Sequence, residues 1–205
     1  MARPRDEARR QRLRAGACDY LLRVGVDAAD LGELARELGT SARMLVHYYG
    51  SKDQLIAAAL DEARGQQRAL FRDWFESRDD RTVADLLRSL WDLMHTPQAQ
   101  PYLRLFSEVY ALTVQQPGRF PGFSTRAAVH DWLPDLENAL RDGGASDDEA
   151  RALATLVLAV QRGLLLDALG TEEYERVEAG HRALLRLLGQ GSASQGTDDD
   201  HEGRT

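Results

Sequence analysis

The sequence predicts an all-α fold, and three observations carry the prediction. Alanine, leucine, arginine and glutamate dominate the 205 residues, all four favour helix, and β-branched residues are sparse. Apolar residues recur at i, i+3, i+4 and i+7, the repeat of a helix that buries one face. Serine, threonine and aspartate stand where helices should begin, and glycines stand where they should end.

Each element follows from that punctuation. The first helix is expected from about Asp6 to Val24, with Leu13, Ala17, Tyr20, Leu21 and Val24 on one face and Gly25 just past its end. Asp30 followed by Glu33 makes a capping-box-like start for a second helix, whose Leu31, Leu34, Ala35 and Leu38 keep the repeat until Gly39. Thr40 or Ser41 caps a third, short helix through Tyr49, and Gly50 stops it. Ser51 with Gln54 opens a long fourth helix to about Ser77. Three such short helices bury too little surface to stand alone. The fourth is therefore expected as their floor and as the mechanical link to the rest of the chain. Further helices fall near Thr82–His95, Gln98–Gln116, Ser124–Arg141, Asp147–Leu169 and Glu172–Leu188. Breaks fall at Thr96-Pro97, between Gln116 and Gly122, at Gly143-Gly144 and at Gly170. Residues 189–205 lack apolar content and are expected to form a disordered acidic tail.

Charge separates the two ends. The net charge is -7, yet residues 1–52 hold ten Lys and Arg against seven Asp and Glu, a net of +3. The remaining residues hold sixteen against twenty-six, a net of -10. A basic head on an acidic body suits a protein of which one end meets phosphates. A single cysteine, Cys18, sits in an apolar run and reads as a small buried residue. The start of the chain lacks the apolar stretch of a signal peptide. The apolar run Leu153–Leu169 is near the lower length limit for spanning a bilayer and carries Gln161, Arg162 and Asp167. The expectation is a cytoplasmic protein with no membrane partner.

Catalytic signatures are missing from the sequence. Its five histidines (47, 95, 130, 181 and 201) show no metal-ligand spacing, and there is no G-x-S-x-G, Walker or dinucleotide pattern. No catalytic residue, metal or cofactor is expected.

Helix two, the turn Gly39-Thr40-Ser41 and the short helix after it have the layout of a helix-turn-helix, in which the second helix enters a major groove about 12 Å wide. On that helix Leu45 and Tyr49, four apart, should pack inward. Ala42, Arg43, Val46 and His47 are then left on the opposite face. Arginine takes guanine bidentately, and a valine suits a thymine methyl. Thr40, Ser41, His47, Tyr48 and Lys52 supply hydrogen-bond donors suited to phosphates. Lys52, the single lysine, stands at a helix N-terminus whose free N–H groups also attract phosphate.

The stretch from Asp30 to Leu60, with Gly39-Thr40-Ser41, Tyr49, Ser51-Lys52 and Leu55, resembles the DNA-binding region of the TetR family of bacterial regulators. The resemblance covers about 45 residues, from helix one into helix four. Many members carry tyrosine where this chain has Val46, so the individual base contacts do not transfer directly. The resemblance implies an N-terminal three-helix helix-turn-helix DNA-binding domain (1–50), a helical effector-binding and dimerisation domain (51–188) and the tail (189–205).

Within the body, Leu153, Leu156, Val160 and Leu164 form one apolar stripe, and Val157, Leu158, Leu165 and Ala168 form another. Such a helix needs cover on both sides. Together with Val177, His181, Leu184, Leu185 and Leu188 of the last helix it is expected to build a homodimer through Leu153–Leu169 and Val177–Leu188. A two-fold dimer places its recognition helices about 34 Å apart and calls for a near-palindromic double-stranded operator. Trp74, Trp91, Met94, His95, Phe106, Tyr110, Trp132 and Gln161 are the expected lining of a site for a small apolar or aromatic effector. Arg162 and Asp167 belong either to that site or to the dimer interface. The function read from the sequence is a sequence-specific transcriptional regulator, a repressor released by a small molecule. The alternative is a helical small-molecule binding protein or enzyme whose helix-turn-helix is not functional.

Overall fold

The computed structural model describes residues 4–77 and 83–194. These form ten helices: α1 (Pro4–Val24), α2 (Leu31–Glu37), α3 (Ala42–Tyr49), α4 (Lys52–Glu76), α5 (Val83–Met94), α6 (Gln100–Gln115), α7 (Thr125–His130), α8 (Leu133–Asp142), α9 (Asp147–Thr171) and α10 (Tyr174–Ser194). No strand occurs among the described residues. The chain divides into two compact units, Met1–Arg78 with Thr96–Ala128, and Asp79–His95 with Val129–Thr205.

In the first unit α4 packs on α1, α3 and α6, and α1 also packs on α6. Its core is continuous: Leu13, Ala17, Tyr20 and Leu21 of α1 meet Leu34 and Ala35 of α2, Leu45 of α3, Leu55, Ala59 and Leu60 of α4, and Leu105 and Val109 of α6. Each large aliphatic group so buried contributes about 1.5–3 kcal/mol. Thus α1 and α3 rest on α4, α2 packs on α3, and α6 joins the same core. Asp30 caps α2 by accepting from the Glu33 N–H at 2.8 Å. The return half of the expected capping box is replaced. The Tyr20 hydroxyl accepts from the Asp30 N–H at 3.2 Å and donates to Glu33 Oε2 at 3.1 Å, so a residue of α1 fixes the start of α2.

In the second unit α9 buries Ala150, Ala154, Val157, Gln161, Leu165 and Ala168, one residue per turn along a single face. It packs on α8 and α10, and α5 packs on α8 and α10. By length and hydropathy α9 could cross a membrane. Instead Leu136 and Leu140 of α8 and Val177, His181 and Leu185 of α10 are buried in the same unit. The stripe Leu153, Leu156, Val160 and Leu164 is only partly covered, with Leu156 49% exposed. Asp167 binds Arg176 of the same chain through two hydrogen bonds of 2.6 and 2.9 Å. Those bonds hold its carboxyl below the usual carboxylate range.

Several expected boundaries shift. The helix expected over Ser124–Arg141 is two helices, α7 and α8, separated by a turn at Asp131-Trp132. Pro134 explains the break: it has no N–H to continue the hydrogen bonding of α7, and it is tolerated in the first turn of a new helix. Gly170 does not end α9, which runs one residue further and stops where Glu172 turns left-handed at φ 59°. Finally, α10 reaches Ser194, inside the segment expected to be disordered. Residues 195–205 of that segment lie outside the described residues.

Candidate nucleic-acid interface

The turn between α2 and α3 is built by two backbone bonds that close the end of α2. Thr40 N–H donates to Ala35 O at 2.9 Å and Gly39 N–H to Arg36 O at 3.2 Å, a Schellman closure that needs a left-handed residue at its centre. Gly39 supplies it at φ 61°, a conformation other residues adopt only under strain. Ser41 then stands extended and caps α3, accepting from Met44 N–H at 3.3 Å.

Helix α3 is held by its inner face. Leu45 is fully buried and Tyr49 nearly so, and the Tyr49 hydroxyl donates to Arg10 O of α1 at 2.6 Å. That leaves Arg43, Val46 and His47 exposed and Ala42 half-buried, the division that the i, i+4 spacing predicts. The His47 and Tyr48 rings meet edge to face at 5.5 Å. Lys52 is exposed at the start of α4, and its ammonium donates to Ala29 O at 2.5 Å. One of its three protons is therefore committed within the chain. The Thr40 hydroxyl oxygen lies buried, with no partner among the described residues, so it is the least accessible of the expected phosphate donors.

Two residues beside this surface were not anticipated. The guanidinium of Arg9 lies 5.8 Å from the Tyr48 ring centre, and that of Arg10 lies 5.3 Å from the Tyr49 ring centre. Both extend the positive charge of α3 onto the first turns of α1. The arginine-rich start of the chain signals the charge, but only the fold shows that α1 reaches the end of α3.

The expected effector residues fall in both units. In the first, Trp74 is half-buried, Phe106 is half-buried with its ring 6.2 Å from that of Phe123, and Tyr110 is 51% exposed. In the second, Trp91 and Met94 are buried, Trp132 is half-buried and His95 is exposed. Trp91 stacks on His181 with ring centres 4.3 Å apart, and its indole N–H donates to Glu178 Oε2 at 2.5 Å. The His95 ring lies 4.5 Å from Trp91. Gln161 is 3% exposed; its Nε2 lies 3.4 Å from His181 Nε2, and its Oε1 has no partner among the described residues. Burial holds the His181 imidazole below its ordinary range, against the opposing pull of Glu178. His181 was expected as a member of an apolar stripe, and its place in a buried polar cluster was not legible from that stripe. No group of acidic, histidine or cysteine side chains among the described residues is arranged to hold a metal.

A short helix with an exposed outer face, set after a tight turn and seated on a buried three-helix core, defines the class, a helix-turn-helix fold. Residues 13–59 match the family of bacterial regulatory proteins known as the tetR family. An HTH-type transcriptional regulator of Bacillus subtilis, YvaF, is 32% identical over 75 residues, 37% of this chain and 38% of that relative. The chain thus matches well under half the length of that curated relative. Two solved structures share the fold over nearly their whole length. A tetR-family transcriptional regulator from Cytophaga hutchinsonii has a TM-score of 0.74 at 12% identity, covering 93% of this chain and 98% of its own. The multidrug binding protein EbrR, complexed with proflavin, has a TM-score of 0.63 at 19% identity, covering 88% and 99%. Over residues 13–59 the chain is thus similar to the tetR family, and beyond them it shares the fold of the two solved structures.

Proposed function

We propose that this chain is a sequence-specific DNA-binding transcriptional regulator, a repressor that a small molecule releases from its operator. The observation that carries the reading is the exposed face of α3. Arg43, Val46 and His47 stand out from a helix locked by Leu45 and Tyr49. Base recognition needs this combination of a rigid seat and free side chains that match base edges. Within residues 1–50, Arg43 takes guanine, Val46 meets a thymine methyl, and Ala42 allows close approach. Ser41, His47, Tyr48 and Lys52, joined by Arg9, hold phosphates, and the buried Thr40 hydroxyl is left out of that set.

Residues 51–188 serve dimerisation and effector binding. Leu156 and Leu166 on α9 and Leu187 on α10 are 49%, 59% and 69% exposed. So much uncovered leucine on two adjacent helices supports a two-fold dimer through Leu153–Leu169 and Val177–Leu188. Trp91, Met94, His95, Trp132 and Gln161 support an apolar or aromatic effector in the second unit, with Trp74, Phe106 and Tyr110 as candidates in the first. The fold shared with EbrR, a multidrug binding protein solved with proflavin, favours the same ligand class. Such a regulator acts in the cytoplasm, on double-stranded DNA.

Selection of bound sequences from a random duplex library, at two salt concentrations, tests the reading. One near-palindromic motif, with affinity falling steeply at the higher salt, is expected. Recovery of no motif at low salt would overturn it in favour of a helical binding protein or enzyme.

A further inference from the structure

We propose that Glu108 of α6 is a positioning residue for DNA binding, a carboxylate latch that sets the orientation of the helix-turn-helix on α6. This inference rests on the DNA-binding reading. The Val26 N–H donates to Glu108 Oε2 at 2.9 Å and the Asp27 N–H donates to Glu108 Oε1 at 2.7 Å. Two successive backbone N–H groups thus converge on one carboxylate, an arrangement suited to holding an anion. They belong to the turn between α1 and α2, the only covalent path from α1 to the helix-turn-helix, and Glu108 lies more than 80 residues away in sequence.

The turn is shaped for this contact. Gly25 sits at φ 82°, and a Cβ there would fall 2.6 Å from Glu108 Oε2. Glycine is therefore required twice over, for its backbone angle and for the approach of the carboxylate. Arg119, in the loop after α6, adds a longer ion pair of 4.0 Å to Asp27. Lys52 holds the other end of the same loop at Ala29 O. The loop that carries α2 and α3 is thus gripped by α6 at its start and by α4 at its end. Charge-assisted bonds to backbone N–H groups are about twice as strong as neutral ones, so the carboxylate is a firm hold on the Val26 and Asp27 amides.

Glu108→Gln keeps the shape but leaves one acceptor oxygen for two N–H groups. Gly25→Ala attacks the same contact from the other side. Amide hydrogen exchange by NMR reads the latch directly. Both variants should exchange at Val26 and Asp27 at least tenfold faster than wild type, with Leu45 and Leu60 unchanged. Unchanged exchange at Val26 and Asp27 in Glu108→Gln would overturn the latch. Binding to the selected palindrome, and to versions with one base pair added to or removed from its centre, reads the positioning role. Wild type should discriminate sharply between them. Glu108→Gln should keep the half-site sequence preference and lose most of the spacing discrimination. Faster exchange with intact spacing discrimination would leave a merely structural bond and overturn the positioning role. If wild type selects no motif, the DNA-binding reading fails, while the exchange data still decide the latch.

Discussion

Arg43 is the residue on which sequence-selective binding should turn. Its side chain is exposed, so its removal leaves the fold intact, whereas a bidentate contact to guanine carries about 1–3 kcal/mol of discrimination. Arg43→Ala is expected to weaken binding to the selected operator about tenfold or more, with unchanged thermal stability, by fluorescence anisotropy and circular dichroism. Tyr20 should behave in the opposite way. Its hydroxyl bridges Asp30 and Glu33 from inside the core, and Tyr20→Phe leaves the Asp30 N–H without that partner. A loss of about 1–3 kcal/mol is expected in urea denaturation. Cys18, buried and pushed up to about 12 by desolvation first and then by Asp19 and Glu62, should resist thiol reagents until the chain unfolds.

At the scale of the helix, local chemistry explains what the sequence makes legible. Asp30, Ser41 and Ser51 each accept from the N–H three residues on, and the helices they open begin where those side chains place them. A cap acts over three residues, so its effect can be read from three residues. The split of α7 from α8 rests on Pro134, equally local, but the apolar repeat across it masks the break. The Trp91–His181–Gln161 cluster depends on partners distant in sequence, which periodicity does not report. That cluster has a measurable signature. His181 is held below 6.5 in the folded chain by burial, so folding favours its neutral form. The stabilisation is complete above 6.5. It is lost as pH falls further, because the unfolded chain takes up its proton first. The charged and titratable groups around it are Glu178 on α10 and Asp92 and His95 on α5. The urea midpoint should therefore drop between about pH 7.5 and about pH 5.5. His181→Phe, which preserves a ring against Trp91, should flatten that dependence.

For the whole molecule, the proposed dimer is the element that most needs proof. A substitution such as Leu156→Glu with Leu187→Glu places charge on side chains that are already 49% and 69% exposed in the single chain. The monomer should fold, with helical content unchanged. Sedimentation should show loss of the dimer, and affinity for a two-half-site operator should fall toward that for a single half-site. The uneven charge of the sequence anticipates the arginines gathered around α3, and the helical repeat anticipates α9 and α10 as a pair with surplus apolar surface. The pairing of Glu108 with the α1–α2 turn was not anticipated. A glutamate in an amphipathic helix looks the same whether its carboxylate meets water or two amides.

The commitment of the single lysine to Ala29 O has a practical outcome in proteolysis. A lysine-specific endoprotease has one peptide bond to cut, Lys52-Asp53, at the junction between the helix-turn-helix and α4. That bond lies in the first turn of α4, with the side chain tethered across the loop, so cleavage requires the turn to open. The rate of this single scission, followed as one fragment pair on a gel, becomes a clock for opening at the head. DNA should slow it, and any compound that loosens the head should speed it.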